Sequence, residues 1–258
     1  MMKLTLVKIG GHSLENKKDL HQFLIDFSRI EGVKILVHGG GKSATNLANK
    51  LGLNPTLIAG RRITDAQNLD IAIMTYAGLL NKNIVAGLQK NKCNAIGLTG
   101  ADANTIESVK RPVKTIDYGF VGDVKKVNSR NIKALLLAGF TPVFCALTHD
   151  TNGQILNTNA DTVASEIAIA MTEEFEVELL YCFELKGVLS DIKNRNSVIK
   201  ELTTSVYRRF LKQGVISVGM LPKLENCFKA LQQGVSVIKI GNTSMIGKGY
   251  DVFTKIIL

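Results

Sequence analysis

The chain has 258 residues, 45% of them hydrophobic, no Trp and a formal charge of +10, enough to bury a large core as one domain or two lobes of an ordinary globular α/β protein. No uninterrupted apolar run approaches the roughly 20 residues of a membrane span. The four cysteines (Cys93, Cys145, Cys182, Cys227) include no CxxC pair, which excludes a zinc pattern and a disulfide framework and points to free thiols in a reducing cytoplasm.

The opening Met1-Met2-Lys3-Leu4-Thr5-Leu6-Val7 reads as a strand rather than a secretory signal. Short apolar runs then alternate with helical periodicity, the signature of strands connected by crossover helices in a mainly parallel sheet. Strands are expected over 4–9, 33–37, 95–98, 141–145, 177–183 and 235–240. Helices are expected over 17–30, 43–51, 66–89, 131–138, 160–171, 204–213 and 223–233. The stretch 104–127 lacks helical period and carries Gly119 and Gly122, so hairpins are expected there. An acidic cluster at Glu173, Glu174, Glu176 and Glu178 suggests a lobe boundary, giving 1–172 and 173–258.

The basic residues are dispersed and no basic helix alternates with aromatics. They read as a solvated surface, with attraction to phosphorylated ligands as the functional alternative and no nucleic-acid face.

Two strands end in glycine clusters, Lys8-Ile9-Gly10-Gly11 and His38-Gly39-Gly40-Gly41. Glycine lets backbone N–H groups approach an anion without a Cβ in the way, and a following helix presents its positive end there. A tight turn without ligand is the plain alternative. Gly41-Lys42-Ser43 imitates the end of a Walker A loop, but the required first glycine falls on Leu36 inside the strand, so a P-loop is rejected. Gly39-x-Gly41-x-x-Ala44, with Arg61-Arg62 beyond it, matches a loose dinucleotide fingerprint and keeps an NADP-dependent oxidoreductase as an alternative.

Lys8 closes an apolar strand, where a lysine either snorkels to solvent or meets a negative ligand. Lys223 follows Pro222 at a helix start, opposing the helix dipole. In Asn157-Thr158-Asn159-Ala160-Asp161, Asn159 suits a cap and Asp161 the first turn. Arg62 carries a fork suited to a carboxylate, with a surface salt bridge as its ordinary use. No HExxH, GxSxG, HRD…DFG or EF-hand pattern occurs, and none of the four histidines has metal-ligand spacing.

Together with Gly60-Arg61-Arg62-Ile63-Thr64, Gly97-Leu98-Thr99-Gly100 and Gly219-Met220-Leu221-Pro222-Lys223-Leu224-Glu225, these segments resemble the amino-acid kinase family in order and spacing. The resemblance implies a three-layer αβα sandwich on a mainly parallel open sheet. It implies an N-terminal lobe that binds an acyl amino acid and dimerises, and a C-terminal lobe that binds ATP with Mg²⁺ carried mainly on the phosphates. Lys8 and Lys223 would stabilise the transferring phosphoryl group, with Asp161 holding both. Gly40, Gly41, Arg62 and Asn157 would bind the acyl amino acid. Gly10, Gly11, Glu184, Gly187 and Gly219 would bind the nucleotide.

The implied reaction is ATP-dependent phosphorylation of the side-chain carboxylate of acetyl- or succinyl-glutamate, the second step of arginine biosynthesis. A sibling kinase for another acyl amino acid such as acyl-aminoadipate is the alternative. A carboxylate nucleophile carries no proton at neutral pH, so no general base is needed and catalysis reduces to positioning and charge neutralisation. Glu184 stands where the family usually has Asp. The end of the chain lacks the family's leucine-rich helix, and no helix precedes the first strand. In the family that extra helix accompanies arginine-inhibited hexamers, so an uninhibited homodimer is expected, without membrane or nucleic-acid partner.

Overall fold

A computed structural model describes residues 1–58, 61–215, 220–247, 249–250 and 252–258. In chain order it contains β1 (Met2–Ile9), α1 (Gly11–Glu15), α2 (Lys17–Ser28), β2 (Val33–His38), α3 (Gly41–Lys50), β3 (Leu57–Ile58) and β4 (Arg61–Arg62). Next come α4 (Ala66–Ala72), a π-helical stretch Ile73–Leu80, α5 (Asn81–Lys90), β5 (Ala95–Leu98), β6 (Ile106–Lys110), β7 (Gly122–Val127) and α6 (Ser129–Leu137). β8 (Thr141–Cys145), β9 (Leu147–His149), β10 (Ile155–Asn157), α7 (Ala160–Ala170) and β11 (Phe175–Cys182) follow. β12 (Glu201–Thr203), α8 (Thr204–Lys212), α9 (Leu221–Gln232), β13 (Val237–Gly241) and β14 (Thr254–Ile257) complete the chain.

The chain divides into two compact units, Met1–Ile35 with Ala164–Leu258, and Leu36–Val163. The expected division at 172/173 differs in its N-terminal part, because β1 is hydrogen-bonded along its whole length to β11, from Met2↔Phe175 to Ile9↔Cys182.

In the first unit the strands run in the order β12-β14-β13-β11-β1. β1, β11 and β13 are mutually parallel, and β14 runs antiparallel to β13. Both β1 and β11 bury six consecutive residues at their C-terminal ends, as strands covered on both faces do. That explains their continuous rather than alternating apolar pattern. α2 starts at Asn16, whose Oδ1 accepts from the N–H groups of Lys18 (3.0 Å) and Asp19 (3.3 Å). It buries Phe23, Leu24 and Phe27, and the Phe23 and Phe27 rings stack at 5.9 Å, one helical turn apart.

In the second unit β2, β8 and β5 are parallel neighbours, with Leu36↔Val143 and Ala95↔Thr141 in register. A second sheet of order β10-β9-β6-β7 carries the expected hairpin, β6 against β7, with a bulge at Glu107/Ser108. β3 and β4 form a two-stranded ribbon. The core of this unit packs Ala44 and Ala48 of α3 against Ile71, Ala72, Tyr76, Cys145 and Leu147.

The single helix expected over 66–89 is interrupted by the π turn, which shifts its buried stripe. Thr75, Tyr76 and Asn81 are buried, while Met74 and Leu79 are exposed. By length and hydropathy alone Ala66–Lys90 would reach across a bilayer. Yet its polar Asn68, Thr75 and Asn81 face inward, the arrangement of a helix packed on a core.

Candidate active site

Two sets of side chains, one in each unit, stand on the segments singled out by the sequence. In the first unit Lys8 is the penultimate residue of β1 and is 7% exposed. Its ammonium lies 2.7 Å from where a Cβ on Gly10 would stand. A side chain at position 10 would crowd the end of that lysine, which folds back over the turn. Gly11 then opens α1.

Lys223 sits in the first turn of α9, with its Nζ 5.4 Å from the centroid of Phe183. Phe183 follows β11, whose Tyr181 is in register with Lys8. Both lysines therefore attach to the same end of the adjacent β1–β11 pair. Cys182 is fully buried there; burial pushes its thiol up to about 12 and the neighbouring Lys8 pulls only weakly against that. It is an inert neighbour, not a nucleophile.

In the second unit the glycine turn after β2 is held from below by His38. Its Nδ1 hydrogen-bonds Gly39 O (2.7 Å), and its Nε2 meets Asn81 Nδ2 at 3.1 Å. Asn81 Nδ2 also donates to Val143 O (2.9 Å). An amide donor on Nε2 makes that nitrogen the acceptor and puts the ring proton on Nδ1. Burial agrees, lowering the pKa of His38 to about 4 against a smaller opposing effect of the Gly39 bond. Gly40 is required by packing: a Cβ there would come within 2.5 Å of the Tyr76 ring and 2.7 Å of Leu80.

Arg62 is 8% exposed and makes no ion pair among the described residues, which removes a surface salt bridge as its explanation. Its Nη2 donates to Gly41 O (2.8 Å) and to Thr45 Oγ1 (2.6 Å). Its Nη1 has neither a hydrogen-bond partner nor contact with solvent. A buried guanidinium without a carboxylate is an uncompensated charge, and an entering anion relieves it. Tyr76 stands beside it: burial raises the phenol pKa, and the Arg62 charge partly offsets the rise.

Asn157 Nδ2 donates to Thr64 Oγ1 (3.0 Å), two residues beyond Arg62. The main chain ties the same strip together, with Thr64 N donating to Tyr118 O (2.9 Å), Phe120 N to Thr64 O (2.7 Å) and Asn157 N to Phe120 O (2.9 Å). Asn159 Oδ1 accepts from the N–H groups of Asp161 (2.8 Å) and Thr162 (3.1 Å), capping α7 and leaving the Asp161 carboxylate in its first turn, 8% exposed.

The structure thus brings Gly41, Arg62 and Asn157 onto one region of the second unit, and Lys8, Gly10 and Lys223 onto one strand end of the first. Glu184 is exposed in a bend after β11. Gly187 is buried where Thr254 and Val198 close on it, which accounts for the glycine by packing alone. Gly219 lies outside the described residues. Sequence reading missed Thr45, Tyr76 and Asn81, since a lone Thr, Tyr or Asn on a helix carries no motif. Among the described residues no three His, Cys, Asp or Glu side chains are grouped to hold a metal.

Residues 3–242 match the family model described as amino acid kinase family. An acetylglutamate kinase of Phocaeicola vulgatus is 56% identical over 253 residues, 98% of each chain. One from Cytophaga hutchinsonii is 52% identical over 262 residues, 100% of this chain and 99% of the other. Among solved structures, carbamate kinase from Giardia lamblia bound to AMP-PNP superposes with a TM-score of 0.71 at 14% identity, covering 99% of this chain and 98% of that one. It supports the mixed α/β fold with mainly parallel strands. With the match spanning almost its whole length, the chain belongs to the amino acid kinase family and is a phosphotransferase.

Proposed function

We propose that this kinase transfers the γ-phosphoryl group of ATP to the side-chain carboxylate of an N-acylated glutamate, acetyl- or succinyl-glutamate, the second step of arginine biosynthesis. The observation that carries this reading is 56% identity to an acetylglutamate kinase over 98% of both chains. The buried Arg62, with Nη1 unpartnered, supports it as the grip on the α-carboxylate, assisted by Asn157. Gly40 and Gly41 carry the backbone on which the acyl amino acid rests.

Lys8 and Lys223 neutralise charge on the transferring phosphoryl group, and Asp161 supplies the carboxylate that balances them. Gly10 and Gly11 contact the phosphates, and Glu184, Gly187 and Gly219 belong to the nucleotide side. Glycine N–H groups and ammonium groups suit phosphate oxygens rather than a bare cation, so Mg²⁺ would be held through the nucleotide's phosphates and would supply further charge neutralisation there. The enzyme is proposed to be a cytoplasmic homodimer, with the unit Leu36–Val163 serving the acyl amino acid and dimerisation and the unit Met1–Ile35 with Ala164–Leu258 serving ATP.

The test is ATP-dependent acyl-phosphate formation with N-acetyl-glutamate and N-succinyl-glutamate side by side, trapping the product with hydroxylamine. ADP release and hydroxamate formation with at least one of them is expected. Binding of both ligands without turnover, or turnover only with acyl-aminoadipate, would refute the assignment.

A further inference from the structure

Thr45 and Tyr76 belong to no motif, yet both stand against Arg62 inside the second unit. Arg62 Nη2 donates one hydrogen to Gly41 O (2.8 Å) and the other to Thr45 Oγ1 (2.6 Å), and that nitrogen has no third. Thr45 Oγ1 in turn donates to Gly41 O (3.0 Å), one turn back along α3, which sets the direction of the lone pair that Arg62 meets. Nη1 is the nitrogen of the fork left without a partner.

Tyr76 comes to the same place from the long helix. Its ring lies 2.5 Å from where a Cβ on Gly40 would stand, and its hydroxyl 4.0 Å from the corresponding point on Gly41. The side chain is buried. Burial raises the phenol pKa, and the charge of Arg62 and a hydrogen bond from it oppose the rise, so the hydroxyl is neutral and lies at the guanidinium. The π turn is what places it. Asn81 N donates to Tyr76 O, five residues back, which brings the two residues nearly one above the other. In a regular α-helix they would point about 140° apart. Tyr76 therefore supports the glycine turn at Gly40, while Asn81 meets His38 (3.1 Å) at its start.

The groups around the guanidinium, a carbonyl and two hydroxyls, are all neutral. A carboxylate in their place would hold the fork as firmly but would also cancel its charge. Neutral acceptors orient the cation and leave its charge for an incoming anion. A side chain held in advance also loses little freedom when the ligand arrives, so the gain falls on affinity rather than on turnover.

We propose that Thr45 and Tyr76 are positioning residues for Arg62, holding the guanidinium against the glycine turn so that Nη1 and the full positive charge serve the α-carboxylate of the acyl amino acid. This rests on the acyl-glutamate reading above. Neither residue takes part in phosphoryl transfer.

The experiment uses whichever of N-acetyl- and N-succinyl-glutamate the wild type turns over, and measures kcat and both KM values. The variants are Thr45→Val, Thr45→Ser, Tyr76→Phe and Arg62→Ala, and the first and third again in the Arg62→Ala background, with urea midpoints to check folding. Thr45→Val and Tyr76→Phe are each expected to raise KM for the acyl amino acid about three- to tenfold, with kcat within about twofold and KM for ATP unchanged. Thr45→Ser, which keeps the hydroxyl, is expected to match the wild type. In the Arg62→Ala background both substitutions are expected to change kcat/KM by less than about twofold, because the group they position is gone. Full additivity there, a loss in Thr45→Ser equal to that in Thr45→Val, or a loss confined to kcat or to KM for ATP overturns the positioning role and leaves the acyl-glutamate reading standing. If Tyr76→Phe does not fold, the Thr45 pair and its Arg62→Ala cycle decide. An unchanged KM for the acyl amino acid in Arg62→Ala, or no turnover of either substrate by folded wild-type enzyme, overturns both.

Discussion

At the scale of single residues, the assigned roles separate by which kinetic constant they move. Lys8→Ala and Lys223→Ala are each expected to lower kcat by at least about 100-fold with the fold intact, because each removes charge needed mainly in the transition state. Unchanged turnover in either variant contradicts the roles. Arg62→Ala is expected to raise KM for the acyl amino acid by at least about tenfold while KM for ATP holds. A shift confined to ATP contradicts the carboxylate grip.

His38 gives a pH prediction. Its folded pKa is depressed to about 4 from 6.5, so the unfolded chain binds the extra proton first as pH falls. Its contribution is complete above the unfolded value and is lost as pH falls from about 6.5 towards 4, with a slope of up to about 1.4 kcal/mol per unit. Urea midpoints measured from pH 7.5 to 5 should fall more steeply for the wild type than for His38→Gln; parallel curves contradict the buried neutral imidazole.

At the scale of elements, the sheet face of the first unit is instructive. Glu178 of β11 bridges Lys3 of β1 and Lys239 of β13, both at 2.7 Å, beside a cavity of about 750 Å³ that also meets α2 and the turn containing Met245 and Gly247. A cross-strand ion triad lies across this strip of sheet, between α2 and the turn. Burial tends to raise the Glu178 pKa, but bonds from Lys239 and Lys3 outweigh it and hold the carboxyl below its usual range. Lys3 is largely exposed, so Glu178→Gln should cost only about 1 kcal/mol. That cost should shrink as pH falls through the folded pKa, and denaturant titrations at pH 7 and pH 3 test this.

The long helix was legible in the sequence through its apolar period, but its π turn was not. An extra residue in one turn leaves composition unchanged, and only packing selects it. β3, β4, β9 and β10 were missed because two or three residues are too few to display alternation.

At the scale of the whole molecule, a net charge of +10 favours encounter with anionic substrates. kcat/KM for ATP is expected to fall as ionic strength rises from about 0.05 to 0.5 M, where the Debye length shortens well below 10 Å. An unchanged value would mean that the dispersed lysines serve solubility alone. Sedimentation equilibrium tests the proposed homodimer: twice the chain mass of 28.1 kDa is expected, and a monomer at micromolar concentration contradicts it.

The sequence alone determined the alternation of strands and helices, because burial on one or both faces imposes its period on the residues. It also determined the glycine turns and the charged residues beside them, because a chain that turns sharply at a strand end calls for residues without a Cβ. Tertiary structure decided what surrounds them. Arg62 could not be told from a surface arginine until Gly41, Thr45 and Tyr76 enclosed it, and Gly187 turned out to answer to Thr254 and Val198. The physical reason is the same in each case: burial and partnership are properties of neighbours distant in the chain, and local sequence does not encode them one residue at a time.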